Sequence, residues 1–183
     1  MNNPIYAYYQ KIKDGQIVVG EWIHAIFKIL VKGIEDGTYT FNAKKATRAI
    51  RFIEGFCHHC KGRTDLIRLE LWQKAIVSAM FGIVDNDDVR VFREVVIVVS
   101  RKQGKSIFAA AVACYMAYLD GEYGAEVFCL APKLDQAGIV YDNIHQTILQ
   151  EPELSQLAKK RRSDIYISES NTIIKPIDAA ENL

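Results

Sequence analysis

The sequence lacks several features that would assign a chain to a class at once. Its formal net charge is only +1 over 183 residues, so the overall balance does not require nucleic acid or a membrane surface as a partner, although a local basic patch could still bind DNA. No uncharged apolar run approaches the roughly 18 residues of a membrane-spanning helix. The N-terminus has no apolar signal core, and no repeat or low-complexity tract stands out. Half of the residues are hydrophobic and a quarter are charged, as in a soluble globular domain with one sizeable core.

Cysteine is also too scarce to indicate a disulfide framework. The four cysteines are spread over a long chain that is rich in apolar residues, and Cys114 and Cys129 lie in core-like runs, which favours a reducing compartment. The motif "CHHC" at residues 57–60 suggests a metal, but structural zinc usually needs two separated ligand pairs. His24 and His145 are isolated, so a helix end with partly buried cysteines is the favoured interpretation.

The first part of the chain has helical periodicity. Residues 20–37 carry a wide apolar stripe, residues 43–56 follow Asn42 as a possible N-cap, and residues 69–82 repeat apolar positions at helical spacing. Periodicity alone leaves open whether these helices belong to a core or to a lid.

From residue 94 onward, apolar strand patterns alternate with helical patterns, as in a parallel α/β sheet. The run "EVVIVV" is typical of a strand buried on both faces. The predicted strands are 94–99, 125–131, 164–168 and 171–176, and the predicted helices are 106–119 and 134–150. We therefore predict an N-terminal helical segment or lid over residues 1–66 and an α/β core over residues 67–183.

The stretch "VSRKQGKS", residues 99–106, has the composition of a phosphate-binding loop. A polyphosphate is bound well by converging backbone N–H groups at a helix N-terminus with a cation nearby. Gly104 lets the backbone turn, Lys105 can reach the β- and γ-phosphates, and the Ser106 hydroxyl can bind Mg²⁺. Ser100 and Gln103 complete the predicted nucleotide-binding set.

Val99 stands where the usual G-x-x-x-x-G-K-[ST] pattern has its first glycine. The alternative is therefore a βα turn that contains glycine and a solvated lysine. Arg101 and Lys102 add two positive charges beside Lys105, which is tolerable if a polyanion lies among them. Arg101 could also stabilise charge on a transferring γ-phosphoryl group, so Arg101 and Lys105 are the predicted catalytic residues; solvation is the other explanation for Arg101.

The loop resembles the deviant Walker A motif of large terminase subunits, the DNA-packaging ATPases of tailed bacteriophages. The resemblance spans roughly residues 15–177 and follows the order of "FIEGFCHHCKG", "IRLELWQKAIVSAMFGIVD", the loop, and "AEVFCLAPKLDQAGIVYDNI". It implies a RecA-like P-loop NTPase fold. It also implies that Gln73, in "LWQ", contacts adenine, for which an amide can both donate and accept. Without the resemblance, Gln73 would be interpreted as a polar residue on a helix surface.

The sequence departs from this family in its acidic motif. No apolar strand ends in the Asp-Glu pair that would hold Mg²⁺ and activate water: Asp120 follows a helix, and Asp178 follows a short stretch with polar flanks. No acidic nuclease cluster is present either. We therefore interpret the chain as an N-terminal part of such a subunit, with an incomplete sheet, that binds ATP and hydrolyses it little or not at all.

The resemblance implies a role in the viral motor that packages double-stranded DNA into procapsids, with ATP and Mg²⁺ as cofactors and an endonuclease in the full-length form. It further implies a small terminase subunit, a portal protein and further copies of the chain as partners, no membrane partner, and a place in the host cytoplasm outside the mature virion. Two alternatives remain: another P-loop enzyme, such as a helicase-like ATPase or a nucleotide kinase, and a P-loop adaptor without turnover. The basic run at residues 159–162 is either a DNA contact or a solvated turn.

Overall fold

The computed structural model describes residues 3–179 and divides the chain into two compact units. Each unit is assembled from two separate stretches of chain. The first comprises Met1–Arg51 and Arg68–Ile97, and the second Phe52–Ile67 and Val98–Leu183. The predicted domain boundary between residues 66 and 67 stays a prediction, since these units follow a different partition. Among residues 3–179, no helix combines the length and the apolar character that crossing a bilayer requires.

The first unit is mainly helical. Its elements are α1 (Pro4–Lys13), α2 (Glu21–Glu35), β1 (Thr40–Phe41), the first part of α3 (Ala43–Phe56), α4 (Leu71–Gly82) and β2 (Ile83–Val84). The two short strands pair antiparallel. Apolar residues of α1, α2 and α4 form the core, including Ile5, Tyr8, Phe27, Leu30 and Ala75.

The apolar stripe of α2 is only partly buried. Phe27 and Leu30 pack into the core, whereas Trp22, Ile26 and Ile29 are 88%, 51% and 59% exposed. The stripe is wide because the helix is apolar on two sides. Helical periodicity predicted the helix itself but could not separate the two sides.

Asn42 caps α3, as the sequence predicts. Its side-chain oxygen accepts hydrogen bonds from the backbone N–H groups of Lys44 and Lys45, each at 3.1 Å. Its side-chain nitrogen donates to Asp88 at 2.8 Å, and Lys45 forms an ion pair with the same carboxylate at 2.9 Å. These hydrogen bonds, with that from Lys45 first, hold the pKa of Asp88 below its ordinary value. The cap thus ties the 85–88 loop to the start of α3.

The second unit is an α/β structure. Its elements are the rest of α3, α5 (Lys105–Tyr118), β3 (Glu126–Ala131), α6 (Leu134–Gln150), α7 (Pro152–Leu157), β4 (Ala158–Lys160), β5 (Ile165–Ile167) and β6 (Thr172–Asp178). The strand order is β3-β6-β5-β4. The β3–β6 pair is parallel, while β5 pairs antiparallel with both β4 and β6. The described sheet is therefore mixed, and only its β3–β6 pair has the parallel arrangement that the sequence predicts for the sheet. The predicted elements β3, α6, β5 and β6 are confirmed.

The prediction of a buried strand at residues 94–99 is wrong. These residues belong to no helix or strand, and Val96 and Val98 are 88% and 91% exposed. A β-branched run favours extended backbone, but a strand forms only where neighbouring strands satisfy its main-chain N–H and C=O groups. Among the described strands, none pairs with this run.

The "CHHC" segment is a structural connection in the second unit. The His58 ring contacts the Thr64 carbonyl at 2.8 Å and the Glu151 carboxylate at 3.2 Å. The Cys60 thiol donates to the Asn143 carbonyl at 3.4 Å. Within residues 3–179, no group of three or more His, Cys, Asp or Glu side chains is placed to hold a metal ion. The segment fastens the chain to α6 and α7.

Gly82 allows α4 to approach its neighbours closely, and its replacement by alanine tests this approach. A Cβ at this position would lie 2.8 Å from the Ala46 methyl group and 2.8 Å from the Phe41 ring. The Ala46 methyl group has no other rotamer to adopt, so we expect Gly82→Ala to lower the free energy of unfolding by about 1–3 kcal/mol in urea denaturation.

Gly138→Ala is the matched control for this measurement. Gly138 is also a helical glycine, but no heavy atom lies within 4 Å of its would-be Cβ, and the substitution should stabilise by roughly 0.4–1 kcal/mol. Equal stabilities of the two variants would contradict the close approach at Gly82.

Candidate functional site

The strongest candidate site is the loop that enters α5. Residues 99–104 connect the irregular run to the helix, and the five residues from Arg101 to Lys105 are all exposed. The predicted frame was strand, loop and helix. Only the loop and the helix are present, because residues 94–99 form no strand.

The backbone of the loop enters the left-handed region twice. Lys102 has φ 66°, and Gly104 has φ 72° and ψ 16°. Glycine adopts this conformation freely, whereas for lysine it costs roughly 1–2 kcal/mol. Gly104 is followed at once by the right-handed backbone of Lys105. This alternation of hand turns successive N–H groups toward one concave side, which is an anion-binding arrangement.

The N-terminus of α5 is open to an anion. Gly104 is the N-cap residue, no side chain caps the helix, and its first turn holds no acidic residue. The first N–H groups of a helix have no partner within the helix, and the helix dipole makes this end positive. The rest of α5 is firmly packed, with Phe108, Ala111 and Cys114 buried. The open end is therefore held by a rigid element.

Three cations lie close to this open helix end in the sequence. Arg101, Lys102 and Lys105 are exposed, and their side chains form no ion pair within the described part of the chain. Like charges so close in sequence repel one another unless an anion lies among them. Backbone donors and side-chain charge thus point to the same kind of ligand, a small group with dense negative charge.

The uncharged polar residues of the loop differ in their surroundings. Ser106 lies in the first turn of α5 and is half-buried, whereas Ser100 and Gln103 are exposed. No hydrogen bond engages the Ser106 hydroxyl among the described residues. A hydroxyl placed beside a phosphate site in this way has the chemistry of a Mg²⁺ ligand.

Gln73 has a structural role that the sequence prediction missed. It lies in the first turn of α4 in the first unit, and its side-chain oxygen accepts a hydrogen bond from the Glu70 backbone N–H at 2.9 Å. The Glu70 side chain in turn accepts from the backbone N–H of Gln73, which completes a capping box. The signal was present in the sequence, because an acceptor at the N-cap with glutamine three residues later is the pattern of this motif.

The acidic residue nearest to the predicted catalytic pattern is Asp178. It is the last residue of β6, at the carboxyl end of a strand that runs parallel to β3. Ala179 follows it, so the described residues contain no strand that ends in Asp-Glu. The candidate loop thus lies on the second unit, and residues 3–179 contain no such acidic pair at the end of a strand.

Comparisons with known proteins agree with this geometry. The family model described as terminase large subunit, ATPase domain, matches residues 71–182. Among solved structures, the large terminase of bacteriophage HK97 is similar, with 22% sequence identity and a TM-score of 0.64. The match covers 74% of this chain and 27% of that one, so the chain spans about a quarter of the length of that relative. No curated protein matches.

The likeness to the HK97 structure concerns the fold. It confirms the predicted α/β class of the P-loop NTPase kind. The predicted roles of individual loop residues and of Gln73 are not tested by these matches and stay predictions.

The capping box at Gln73 gives a direct prediction about stability. Gln73→Ala removes the acceptor for the Glu70 N–H, so we expect a loss of about 0.5–1 kcal/mol in urea denaturation. Gln73→Glu keeps an acceptor oxygen at the helix N-terminus, where negative charge is favourable, and should retain most of the stability. If Gln73→Ala unfolds at the same urea concentration as the unaltered chain, the cap contributes nothing.

Proposed function

Because the chain belongs to the family of terminase large subunit ATPase domains, we propose that it is the ATP-binding part of a viral motor that packages double-stranded DNA into procapsids. The observation that carries the proposal is the loop at residues 100–106. Left-handed backbone at Lys102 and Gly104 precedes an uncapped helix N-terminus. Three exposed cations, Arg101, Lys102 and Lys105, lie within the same seven residues.

Each loop residue has a role that follows from its chemistry. The backbone N–H groups of Gln103, Gly104 and Lys105 bind phosphate oxygens, and the Lys105 ammonium group binds the β- and γ-phosphates. Arg101 carries up to five N–H donors and stabilises the charge on the γ-phosphoryl group during transfer. Ser100 and Lys102 flank the same anion.

Mg²⁺ fits the hydroxyl at the start of α5. Ser106 is half-buried in the first helical turn, and its oxygen is a hard ligand of the kind that Mg²⁺ takes together with phosphate oxygens. The bound ion would neutralise charge on the β- and γ-phosphates. The chain's own contribution is to hold the triphosphate and to orient it.

Gln73 is proposed to contact adenine through its side-chain nitrogen, because its side-chain oxygen takes part in the helix cap. Its oxygen is engaged by the Glu70 N–H, while its amide nitrogen has two N–H donors that can reach an acceptor on the base. Simultaneous donation to the base and acceptance from it would require the cap to open. We therefore assign Gln73 the donor part of the contact.

Turnover requires more than this loop. Water activation in this class of reaction uses a carboxylate beside the γ-phosphate, and the described residues contain no strand that ends in Asp-Glu. We expect the 183-residue chain to bind ATP and to hydrolyse it little or not at all. This expectation also covers the second candidate function, a P-loop adaptor without turnover.

The partners follow from family membership. We propose duplex DNA, a small terminase subunit, a portal protein and further copies of the same subunit as partners in the packaging motor. The site of action is the cytoplasm of the host cell, where a packaging motor works without becoming a structural part of the mature virion.

Lys105 provides the main test of the nucleotide site. Lys105→Ala should weaken binding of a fluorescent ATP analogue about 10- to 100-fold, because a hydrogen bond to a charged group is worth roughly 1.5–3 kcal/mol. Lys11→Ala, which removes an exposed lysine of α1, is the control and should leave the affinity unchanged. Equal affinity of the Lys105 variant and the unaltered chain would remove the nucleotide site from the proposal.

Base selectivity tests Gln73 separately from stability. Gln73→Glu keeps the cap but replaces the amide donors by a carboxylate, so it should weaken the ATP analogue several-fold more than the matching GTP analogue. The comparison uses competition titrations on variants whose unfolding has been measured. An unchanged ratio of ATP to GTP affinity would leave Gln73 with its capping role only.

A further inference from the structure

The hairpin of β4 and β5 concentrates positive charge at one edge of the sheet. Lys159, Lys160, Arg161 and Arg162 follow one another, and Asp164 is the only acid between residues 158 and 164. Four cations and one carboxylate leave three net positive charges in this hairpin, whereas the whole chain has a formal net charge of +1. The remainder is therefore net negative, so the positive charge of the hairpin is a local excess.

Two of these cations are held in place by aromatic rings. The Lys160 ammonium group donates to the Tyr141 hydroxyl at 2.6 Å and lies 4.7 Å from the centre of that ring. The Arg161 guanidinium lies 4.9 Å from the centre of the Tyr166 ring, and its Nε binds Asp164 at 2.5 Å. These contacts reduce the conformational freedom that the side chains would otherwise lose on binding a ligand.

The anchored cations still have donors to offer. The Nε–H of Arg161 donates to the Asp164 carboxylate. The two terminal nitrogens of the guanidinium group remain available as donors to a phosphate group. Lys159 and Arg162 are exposed and have no side-chain partner among residues 3–179. The hairpin thus presents two free cations beside one oriented guanidinium.

The register of the strands places Lys159 on the same side as Tyr166 and its partner Arg161. Lys159 lies opposite Tyr166, and Ile165 and Ile167, on either side of Tyr166, are buried. Side chains alternate along a strand, so Lys159 and Tyr166 lie on the face away from that core. Arg161, two residues after Lys159, reaches the same ring.

From this arrangement we infer that the β4–β5 hairpin is a contact surface for the sugar–phosphate backbone of duplex DNA. The identity of the ligand, DNA, rests on the proposed function. The location of the contact rests on the charge of the hairpin. A duplex backbone fits better than unpaired bases, because Arg161 lies over Tyr166 and the Tyr166 hydroxyl binds Asn171 at 2.9 Å. Single-strand binding would use aromatic faces that are open for stacking.

Removal of the two free cations tests the hairpin. Binding of a short fluorescein-labelled DNA duplex to the 183-residue chain is followed by anisotropy between about 50 and 200 mM salt. For Lys159→Gln with Arg162→Gln, the slope of log affinity against log salt should become shallower by about 1.8, because each lost phosphate contact contributes about 0.9. Lys159→Arg with Arg162→Lys keeps both charges and should keep the slope.

A second double variant controls for the loss of charge alone. Lys11→Gln with Lys28→Gln removes two exposed cations from α1 and α2 and should leave the slope unchanged. Thermal unfolding of each variant establishes that it is folded. Equal slopes for the two glutamine variants, or no duplex binding by the unaltered chain, would overturn the inference.

The remaining outcomes separate this inference from its alternatives. Tighter binding of single-stranded DNA or of duplex RNA than of duplex DNA would overturn the assignment to duplex DNA. If the hairpin variant aggregates while its soluble fraction binds DNA with an unchanged slope, the lysines protect an edge strand instead. The ATP analogue serves as an independent readout: the hairpin variant should bind it normally, and a chain that binds DNA but no ATP would contradict the proposed function alone.

Discussion

The left-handed backbone at Gly104, directly before α5, is the constraint on which the site depends. It turns the chain so that the first N–H groups of a long, buried helix face outward with no side-chain cap. A cap would satisfy those donors internally and close the site. Lys102 accepts an unfavourable conformation in the same loop, and such local strain is usually found where a ligand is bound. In the proposed site, the main chain therefore supplies the first donors for an anion, and the cations add to them.

Charge is distributed unevenly around this nearly neutral chain. One group of cations stands at the loop and another at the β4–β5 hairpin, and the two differ in their surroundings. The loop cations have no ion-pair partner among the described residues. This arrangement favours a compact anionic ligand that binds between them. The hairpin cations are partly fixed by Tyr141 and Tyr166, which suits repeated contacts with an extended polyanion. Overall composition conceals both groups, since their charge is offset elsewhere.

Local patterns predicted α2 to α6 and the strands β3, β5 and β6, because capping residues and periodicity act over a few residues. Asn42 capped α3 as expected, and two of the predicted strands formed as β5 and β6, which pair antiparallel. The run at residues 94–99 was mispredicted because pairing depends on strands distant in sequence. Gly104 and its neighbours suggested a phosphate-binding turn, which stays a prediction, but the sequence did not indicate the left-handed backbone of Lys102. Gln73 shows the converse: resemblance suggested a ligand contact, while its capping role was readable from Glu70 and was overlooked.

The exposed valines before the loop bear on how this molecule behaves in solution. Val95, Val96 and Val98 present apolar side chains on backbone that no sheet protects, and unprotected chain of this kind fits the cleft of an elastase-like protease. Cleavage there would sever the covalent path from the first unit to α5. Residues 52–67 belong to the same compact unit as α5 but precede the cut, so they would stay attached through packing alone. A nicked preparation would then migrate as one species under native conditions and as two in denaturant.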